Sequence, residues 1–470
     1  MLLDETIVAL ATPAGSGAIA VIRVSGPRAI ELVAPVFEGR KGIDLQGQAS
    51  HTLQLGYIKD NQRIIDESLV SVFRGTHSYT GEPTVEISCH GSPFIQQEII
   101  NLLLRKGCRA AKPGEFTMRA FLNGKMDLSQ AEAVADLIAS DNKAAHQMAM
   151  NQMRGGFAQE IQTLREELLN FAALIELELD FSEEDVEFAN RKELQQLIWK
   201  IQKTLNKLID SFAVGNVLKR GIPVAIIGEP NAGKSTLLNA LLNEDRAIVS
   251  DIAGTTRDTI EDEIAIDGIG FRFIDTAGIR ETTDKIEELG IQKTFEKIKK
   301  ASIALLMIPS PLVLQKEEQQ KTIIEINRIK NRFPDKPFLI VVNKIDLSKE
   351  DEIAYLQKSF HQVSGADVHF ISAKKKMGIS ALKNKLKNYV DTGALRNNDT
   401  IVTSSRHYDS LLKAQQEINR VQEGLNLGLT GDLLAIDIRQ ALHFFGEITG
   451  EDIDPDQLLG HIFANFCIGK

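Results

Sequence analysis

Apolar residues along this chain change their period three times. Over residues 1 to about 118 they alternate with polar ones in short runs, such as Ala18-Ile19-Ala20-Val21-Ile22-Arg23-Val24 and Thr84-Val85-Glu86-Ile87-Ser88, separated by glycine and proline turns. A period of two predicts half-buried strands; with helical patterns at Arg28 to Val36 and Phe94 to Lys106, it makes this an α+β domain. From Asp127 through Phe212 apolar residues recur every three or four positions, in Ala131, Val134, Ala135, Ile138 and again in Leu164, Leu168, Phe171, Leu174, Ile175. That spacing predicts long amphipathic helices. Beyond residue 217 the runs become continuous, Val224-Ala225-Ile226-Ile227 and Phe338-Leu339-Ile340-Val341-Val342, as in strands buried on both faces. Helical spacing resumes at Thr403 to Leu425 and Gly431 to Phe445, with a last helix expected from Pro455.

Two helical stretches flanking an intact α/β segment suggest insertion, because each half can bury its apolar stripe against the other. The expected fold is multidomain. An N-terminal α+β domain spans 1–118, an all-α helical domain spans 119–216 and 393–470, and an inserted α/β domain spans 217–392. The polar stretch Asp391 to Asp399 reads as the return linker.

Chemistry concentrates in the inserted segment. Gly228-Glu229-Pro230-Asn231-Ala232-Gly233-Lys234-Ser235 lies between the apolar run ending at Ile227 and the helix-forming Thr236-Leu237-Leu238-Asn239-Ala240-Leu241-Leu242. Its glycines let backbone N–H groups turn inward around a polyphosphate; Lys234 adds a point charge and Ser235 a hydroxyl for Mg²⁺. Asn343-Lys344-Ile345-Asp346 follows a buried-strand run. The Asp346 carboxylate suits N1–H and the exocyclic amine of guanine, whereas adenine would face it with an acceptor. Ser372-Ala373-Lys374, after Val368-His369-Phe370-Ile371, is expected to close over the same base. Between them, Asp275-Thr276-Ala277-Gly278 ends the run Phe271 to Ile274, setting Asp275 to hold Mg²⁺ through water and the Gly278 N–H to meet the γ-phosphate. Gly254-Thr255-Thr256-Arg257-Asp258 supplies Thr256 as a further Mg²⁺ ligand. The order and spacing of these strings imply an α/β P-loop GTPase domain. Small GTPases commonly carry a glutamine after Asp-x-x-Gly to orient the attacking water, but Ile279 stands there. Hydrolysis then needs other help, and a monovalent cation beside the β- and γ-phosphates, held by the Asn231 oxygen, would neutralise developing charge.

Composition narrows the partners. The 470 residues are 43% hydrophobic and 25% charged, long enough for about three domains. No run of ~20 apolar residues is present, and Asp4 and Glu5 near the start are unlike a basic signal-peptide head, so cytoplasmic location and no membrane are expected. Cys89, Cys108 and Cys467 are too few and scattered for a disulfide framework, and the nine histidines lack paired metal-ligand spacing, so no zinc site is expected. A net charge of −10 argues against non-specific coating of nucleic acid; an RNA contact must be local or shared with a partner. The run Glu176 to Glu187, with seven carboxylates in twelve residues, reads as a solvated helix end, or else as a dock for a basic partner.

The chain resembles the MnmE (TrmE) family of tRNA modification GTPases essentially from end to end. Its marks are Asp4-Glu5-Thr6-Ile7-Val8-Ala9-Leu10-Ala11-Thr12-Pro13, Gly114-Glu115-Phe116-Thr117, Lys125-Met126-Asp127-Leu128-Ser129-Gln130-Ala131-Glu132-Ala133, Gly254 to Asp258, and the terminal Cys467-Ile468-Gly469-Lys470. The resemblance implies a homodimer, formed through the N-terminal domain, that works with an MnmG (GidA)-type FAD protein in a heterotetramer. Together they would install an aminomethyl or carboxymethylaminomethyl group on C5 of the wobble uridine (position 34) of certain tRNAs. It implies 5-formyl-tetrahydrofolate or a related folate as cofactor, contacted by Arg23, Glu82 and Lys125, with Lys470 reaching the same pocket. A pterin edge suits a carboxylate and its glutamate tail suits cations, although a surface ion pair is the other reading of each residue. For the nucleotide, the resemblance matches Asn231, Ser250, Ile252 and Thr255 to K⁺, within the loop Ser250-Asp251-Ile252-Ala253-Gly254-Thr255-Thr256. It matches Glu287 to a glutamate acting on the attacking water, with Glu288 beside it.

Cys467 reads two ways: a thiolate, its pKa lowered by Lys470, that attacks C6 of uridine, or packing near a chain end. Cys89-His90-Gly91-Ser92 departs from the family pattern, where a second glycine commonly follows His-Gly. The alternative function is a regulatory GTPase like the Era and Der ribosome-assembly factors, which share Pro-Asn-Ala-Gly-Lys-Ser. Those append RNA-binding domains rather than an N-terminal α+β domain and a terminal Cys-x-Gly-Lys.

Overall fold

A computed structural model describes residues 4–42, 44–180, 190–245, 262–274, 287–364, 367–389 and 401–450. They form two compact units, one from the described residues of Met1–Ala139, Ala149–Ile209 and Ser405–Lys470, the other from those of Ser140–Met148 and Asp210–Ser404. The second interrupts the first in sequence, which is the insertion that the helical pattern predicted.

The first unit begins with strands Ile7–Leu10 (β1), Ile19–Ser25 (β2), Phe37–Gly39 (β3), Thr52–Asp60 (β4), Arg63–Phe73 (β5), Thr84–His90 (β6) and Arg109–Ala110 (β7). They form one sheet in the order β3-β4-β5-β6-β2-β1-β7, antiparallel except where β1 runs beside β7. Alternation along β2 sends Ala20, Ile22 and Val24 into a core shared with Ile99, Leu102 and Leu103 of helix Pro93–Arg105. It leaves Arg23 and Ser25 on the opposite face. The pattern expected as one helix at Arg28 to Val36 is split: helix Ala29–Val33 passes into a 3₁₀ turn at Ala34–Val36, because Pro35 has no N–H to donate.

The same unit contains the helices Glu115–Leu122, Leu128–Ala139, Gly156–Asp180, Ser405–Leu427 and Gly431–Thr449. Leu411, Ala414, Ile418 and Val421 line the inner face of Ser405–Leu427, and Leu434, Ile438, Leu442 and Phe445 that of Gly431–Thr449. On Gly156–Asp180 the predicted stripe buries Leu164, Leu168 and Ile175 but leaves Leu174 at its flank, 38% exposed. Residue 118 falls inside helix Glu115–Leu122 and residue 216 inside helix Arg191–Arg220.

The inserted unit is a six-stranded sheet, Ile222–Ile227 (β8), Asp262–Ile266 (β9), Ile269–Phe273 (β10), Ile303–Pro309 (β11), Phe338–Asn343 (β12) and Asp367–Phe370 (β13), in the order β13-β12-β11-β8-β10-β9. All neighbours are parallel except β9 and β10. Continuous apolar strands feed two cores. Val224 and Ile226 face Leu237 and Leu241, while Ala225 and Ile227 face Ile298, Ile326 and Phe360. Residues 140–148 join this unit, unforeseen in the sequence: Ala144 N–H donates to Gly268 O at 2.9 Å, and Met148 packs into the first of those cores.

Candidate functional site

Ligands of parallel α/β sheets bind beyond the carboxyl ends of the strands, where the strand order reverses. Here β8 is followed on one side by β10 and on the other by β11, so the switch point lies between β8 and β11. The phosphate-loop sequence leaves β8 at that point. Gly228 turns with φ +137°, and a Cβ on it would stand 2.3 Å from Met307 O of β11. Gly233, at φ +95°, leaves 2.3 Å between a would-be Cβ and Asn343 Nδ2. Both positions require glycine for backbone conformation and for space. Between them Asn231 takes a left-handed φ of 65° with an exposed side chain, and helix Lys234–Asp245 then begins. Its first N–H groups and the positive end of its dipole face the turn. Ser235 and the exposed Thr236 stand in this first turn.

Lys234 Nζ donates to Gly228 O at 2.6 Å and Glu229 O at 2.9 Å. Burial, reinforced by Lys297, lowers its pKa below the usual lysine value. An ammonium resting on carbonyls is poised to exchange them for phosphate oxygens, which carry full charge.

Asn343 ties the loops together. It is 2% exposed; its Nδ2 donates to Ala232 O at 2.9 Å and its Oδ1 accepts from Ala373 N–H at 3.0 Å. It therefore braces the phosphate loop against Ser372-Ala373-Lys374. Ser372 Oγ donates to Asp346 Oδ1 at 2.6 Å and accepts from Lys375 N–H at 3.2 Å. That hydrogen bond, helped by Lys375 and Lys374, holds the Asp346 carboxyl below its ordinary range, so it is an anionic acceptor at neutral pH. Lys344 has a left-handed φ of 65°, and its carbonyl accepts from the fully buried Ser310 Oγ at 3.0 Å. Ser310, just beyond β11, was missed by sequence reasoning; the signal was a serine directly after an apolar strand.

The structure thus brings together Asn231, Ala232, Gly233, Lys234, Ser235, Thr236, Asn343, Lys344, Asp346, Ser372, Ala373 and Lys374 at one edge of the sheet. Ser250, Asp251, Ile252, Ala253, Gly254, Thr255, Thr256, Asp275, Thr276, Ala277, Gly278, Cys467 and Lys470 lie outside the described residues, as does the acidic run from residue 181 to 187. Glu287 opens helix Glu287–Lys300, with its side chain outside the description.

A second cluster lies on the outer face of β2. Arg23 pairs with Glu86 at 2.8 Å, its partner in the β2–β6 ladder, and its guanidinium lies 5.3 Å from the Tyr79 ring and 5.7 Å from Phe116. Glu82 is 9% exposed and accepts from Ser25 Oγ and from the fully buried Arg119, each at 3.1 Å. Arg119 also donates to Glu115 and to Glu5 O. Lys125 lays its stem over Gly81, beside Glu82, and donates to Thr76 O at 2.8 Å. Tyr79, Phe116 and Arg119 had been assigned no role from the sequence, although Phe116 lies in a family-marking string. By contrast, Cys89 and Cys108 are inert: burial pushes each thiol up to about 11.

A family model described as the MnmE helical domain matches residues 128–467, and one described as the GTP-binding protein TrmE N-terminus matches residues 6–125. The chain belongs to the MnmE family of tRNA modification GTPases. Proteins named tRNA modification GTPase MnmE from Christiangramia forsetii and Flavobacterium johnsoniae are 66% and 63% identical to it, each over 100% of both chains. One of the same name from Bacteroides fragilis is 53% identical over 99% of this chain and 100% of its own. The FeoB G domain from Methanococcus jannaschii aligns to 36% of this chain and 97% of its own at 25% identity, with a TM-score of 0.25, too low to bear on the fold. As an MnmE-family member the chain is a GTP hydrolase, and the Era-like or Der-like alternative is set aside because the match includes the N-terminal and helical domains. No described helix is long and apolar enough to cross a membrane.

Proposed function

We propose that this chain is a Mg²⁺-dependent, K⁺-activated GTPase that, with an MnmG-type FAD protein, adds an aminomethyl or carboxymethylaminomethyl group to C5 of the wobble uridine of certain tRNAs in the cytoplasm. The observation that carries the reading is end-to-end similarity, at 66% identity, to a protein named for tRNA modification. In this reading the division 1–118, 119–216, 217–392 and 393–470 separates a folate-binding and dimerising domain from a helical domain interrupted by the GTPase.

The residues present suit the groups this reading needs. Ser235 stands in the first turn of the helix after the phosphate loop, and its hydroxyl and that of Thr256 would hold Mg²⁺. Asn231, exposed and held by its left-handed backbone, offers an oxygen to K⁺ beside the phosphates, with Ser250, Ile252 and Thr255 completing the set. When bound, K⁺ would supply positive charge against the charge that develops on the phosphates, and Glu287 would polarise the attacking water. The Arg23, Tyr79 and Phe116 cluster pairs a cation with two aromatic faces beside the Glu82 carboxylate, the donor set that a pterin and its acidic tail require. Lys125 and Lys470 would add charge for that tail, and Cys467 would supply the thiol for attack at C6 of uridine. Exposed Leu53, Leu55 and Leu69 on β4 and β5 offer an apolar surface for a second copy of the N-terminal domain.

The direct test is wobble-uridine modification of tRNA assayed with this chain, the flavoprotein and a tetrahydrofolate one-carbon donor, and with each omitted in turn. Product that forms without this chain, or without the folate, defeats the corresponding part of the proposal. Replacing Na⁺ by K⁺ at equal ionic strength is expected to raise GTP turnover on the order of 10²-fold, the size of effect of removing one electrostatic stabiliser of a developing charge. Turnover indifferent to the cation would remove K⁺ from the mechanism.

A further inference from the structure

The chain contains a single tryptophan, and it does not serve the core. In helix Arg191–Arg220, Leu194, Ile198, Ile201, Leu205 and Leu208 form a complete buried stripe at helical spacing, while Trp199 stands on the outer face, 64% exposed. It borders a groove of about 640 Å³ between this helix and Ser405–Leu427, lined by Trp199, Gln202, Lys203, Asn206, Gln415 and Asn419.

The lining is unusual for this protein. It holds an indole, an ammonium and four carboxamides but no carboxylate, in a chain whose 64 acidic residues outnumber its 54 basic ones. Residues 191–209 carry Arg191, Lys192, Lys200, Lys203 and Lys207 against the lone carboxylate of Glu193, a local reversal of the chain's sign. Glu167 holds Lys200 at 2.7 Å, whereas Lys203 Nζ lies over the Trp199 ring at the groove, 5.5 Å from its centroid. The carboxamides join the walls: Gln202 Nε2 donates to Asn419 Oδ1 at 2.9 Å and Gln415 Nε2 to Asn206 Oδ1 at 2.6 Å. Each bond engages one amide hydrogen and one carbonyl lone pair of groups that have more of both, so donors and acceptors remain for a ligand.

A flat π face, neutral amides of both polarities and an adjacent cation match an unpaired nucleotide: the base stacks on the indole as the Lys203 ammonium leaves the ring for its phosphate, and its edge meets the amides. An acidic polypeptide would use the cations but not the indole or the carboxamides. We propose that this groove docks a single-stranded stretch of the RNA substrate, with a base stacked on Trp199 and its phosphate at Lys203. The proposal rests on the tRNA reading above, and it places on the helical bundle the local contact that a net charge of −10 allows in place of a basic coat.

Because Trp199 is the only tryptophan, the intrinsic indole fluorescence of the full-length chain reports on this groove alone. Titration with tRNA and with a short oligouridylate is expected to quench it saturably, more weakly as salt rises. Trp199→Ala is expected to weaken tRNA binding, measured by filter retention, roughly tenfold or more, Trp199→Phe to restore most of it, and Lys203→Gln to flatten the salt dependence, with GTP hydrolysis unchanged in all three. If the unaltered chain binds tRNA but Trp199→Ala binds it equally well, the groove is not the site and the tRNA reading stands. If the unaltered chain retains no tRNA, the groove proposal falls, while the tRNA reading is decided by the modification assay with the flavoprotein present. Quenching by polyglutamate and not by RNA would overturn the proposal in favour of an acidic protein partner.

Discussion

Replacing Asp346 by Asn should convert a guanine site into a xanthine site. The carboxylate is anionic at neutral pH and fixed by Ser372 Oγ at 2.6 Å; in the proposed site it would accept from N1–H and the exocyclic amine of guanine. Asparagine keeps the shape but turns one acceptor into a donor, which faces the guanine amine unfavourably and the xanthine O2 favourably. A hydrogen bond to a charged group is worth about 1.5–3 kcal/mol and an unmatched buried donor costs about as much, so GTP affinity is expected to fall on the order of 10²- to 10⁴-fold. XTP should become the better substrate. Turnover and competition measured with the two triphosphates decide it, and unchanged guanine affinity would show that Asp346 is not what reads the base.

The second large effect is expected in the helical part. Glu132 of helix Leu128–Ala139 accepts from Arg406 at 2.8 Å and pairs with His407 at 2.9 Å; Arg406 continues to Glu447 O and Ile448 O at the end of helix Gly431–Thr449. His407 is 1% exposed, with the Phe157 ring 5.0 Å away. Burial alone would raise the Glu132 pKa, but His407 and Arg406 overcome it and bring it down to about 2. Glu132→Ala strands the Arg406 guanidinium and takes the carboxylate partner from His407, a loss of about 3–5 kcal/mol for a broken buried pair. Against a domain stability of about 5–15 kcal/mol, that is a large fraction. Because the folded pKa lies below the unfolded value of 4.5, the ionised form stabilises the fold above that pH. Its contribution is lost as pH falls from there towards about 2. Denaturant unfolding of the full chain, followed by circular dichroism, is expected to show the helical transition destabilised in Glu132→Ala. Its acid dependence between those limits should be flattened in Glu132→Gln. Identical midpoints for all three chains would mean that the network carries no net stability.

The nucleotide site was legible because its chemistry is local. A phosphate loop needs its glycines, lysine and serine at fixed spacing on one strand-to-helix turn, and Asp346 sits one short turn beyond its strand. The cluster around Arg23 and Glu82, proposed to take the folate, was only partly legible. Arg23 and Glu82 were named, but Tyr79 and Phe116 reach Arg23, and Arg119 reaches Glu82, from elements well removed in sequence, so no spacing announces them. The groove at Trp199 was not legible at all, since its two walls come from helices about two hundred residues apart and nothing local marks either one.

Apolar periodicity and local motif spacing, both properties of neighbouring residues, determined an α+β domain, a helical domain interrupted by a P-loop GTPase domain, and the phosphate-loop and Asn-x-x-Asp strings within it. Only the tertiary structure decided that Asn343 would brace the phosphate loop against Ala373, that Ser310 would fix the Lys344 carbonyl, that Glu132 would clasp Arg406 and His407, and that residues 140–148 would join the inserted unit. Each of those depends on parts of the chain brought within a hydrogen bond's length by burial elsewhere. Burial constrains the sequence through volume and polarity, and neither of these names a partner.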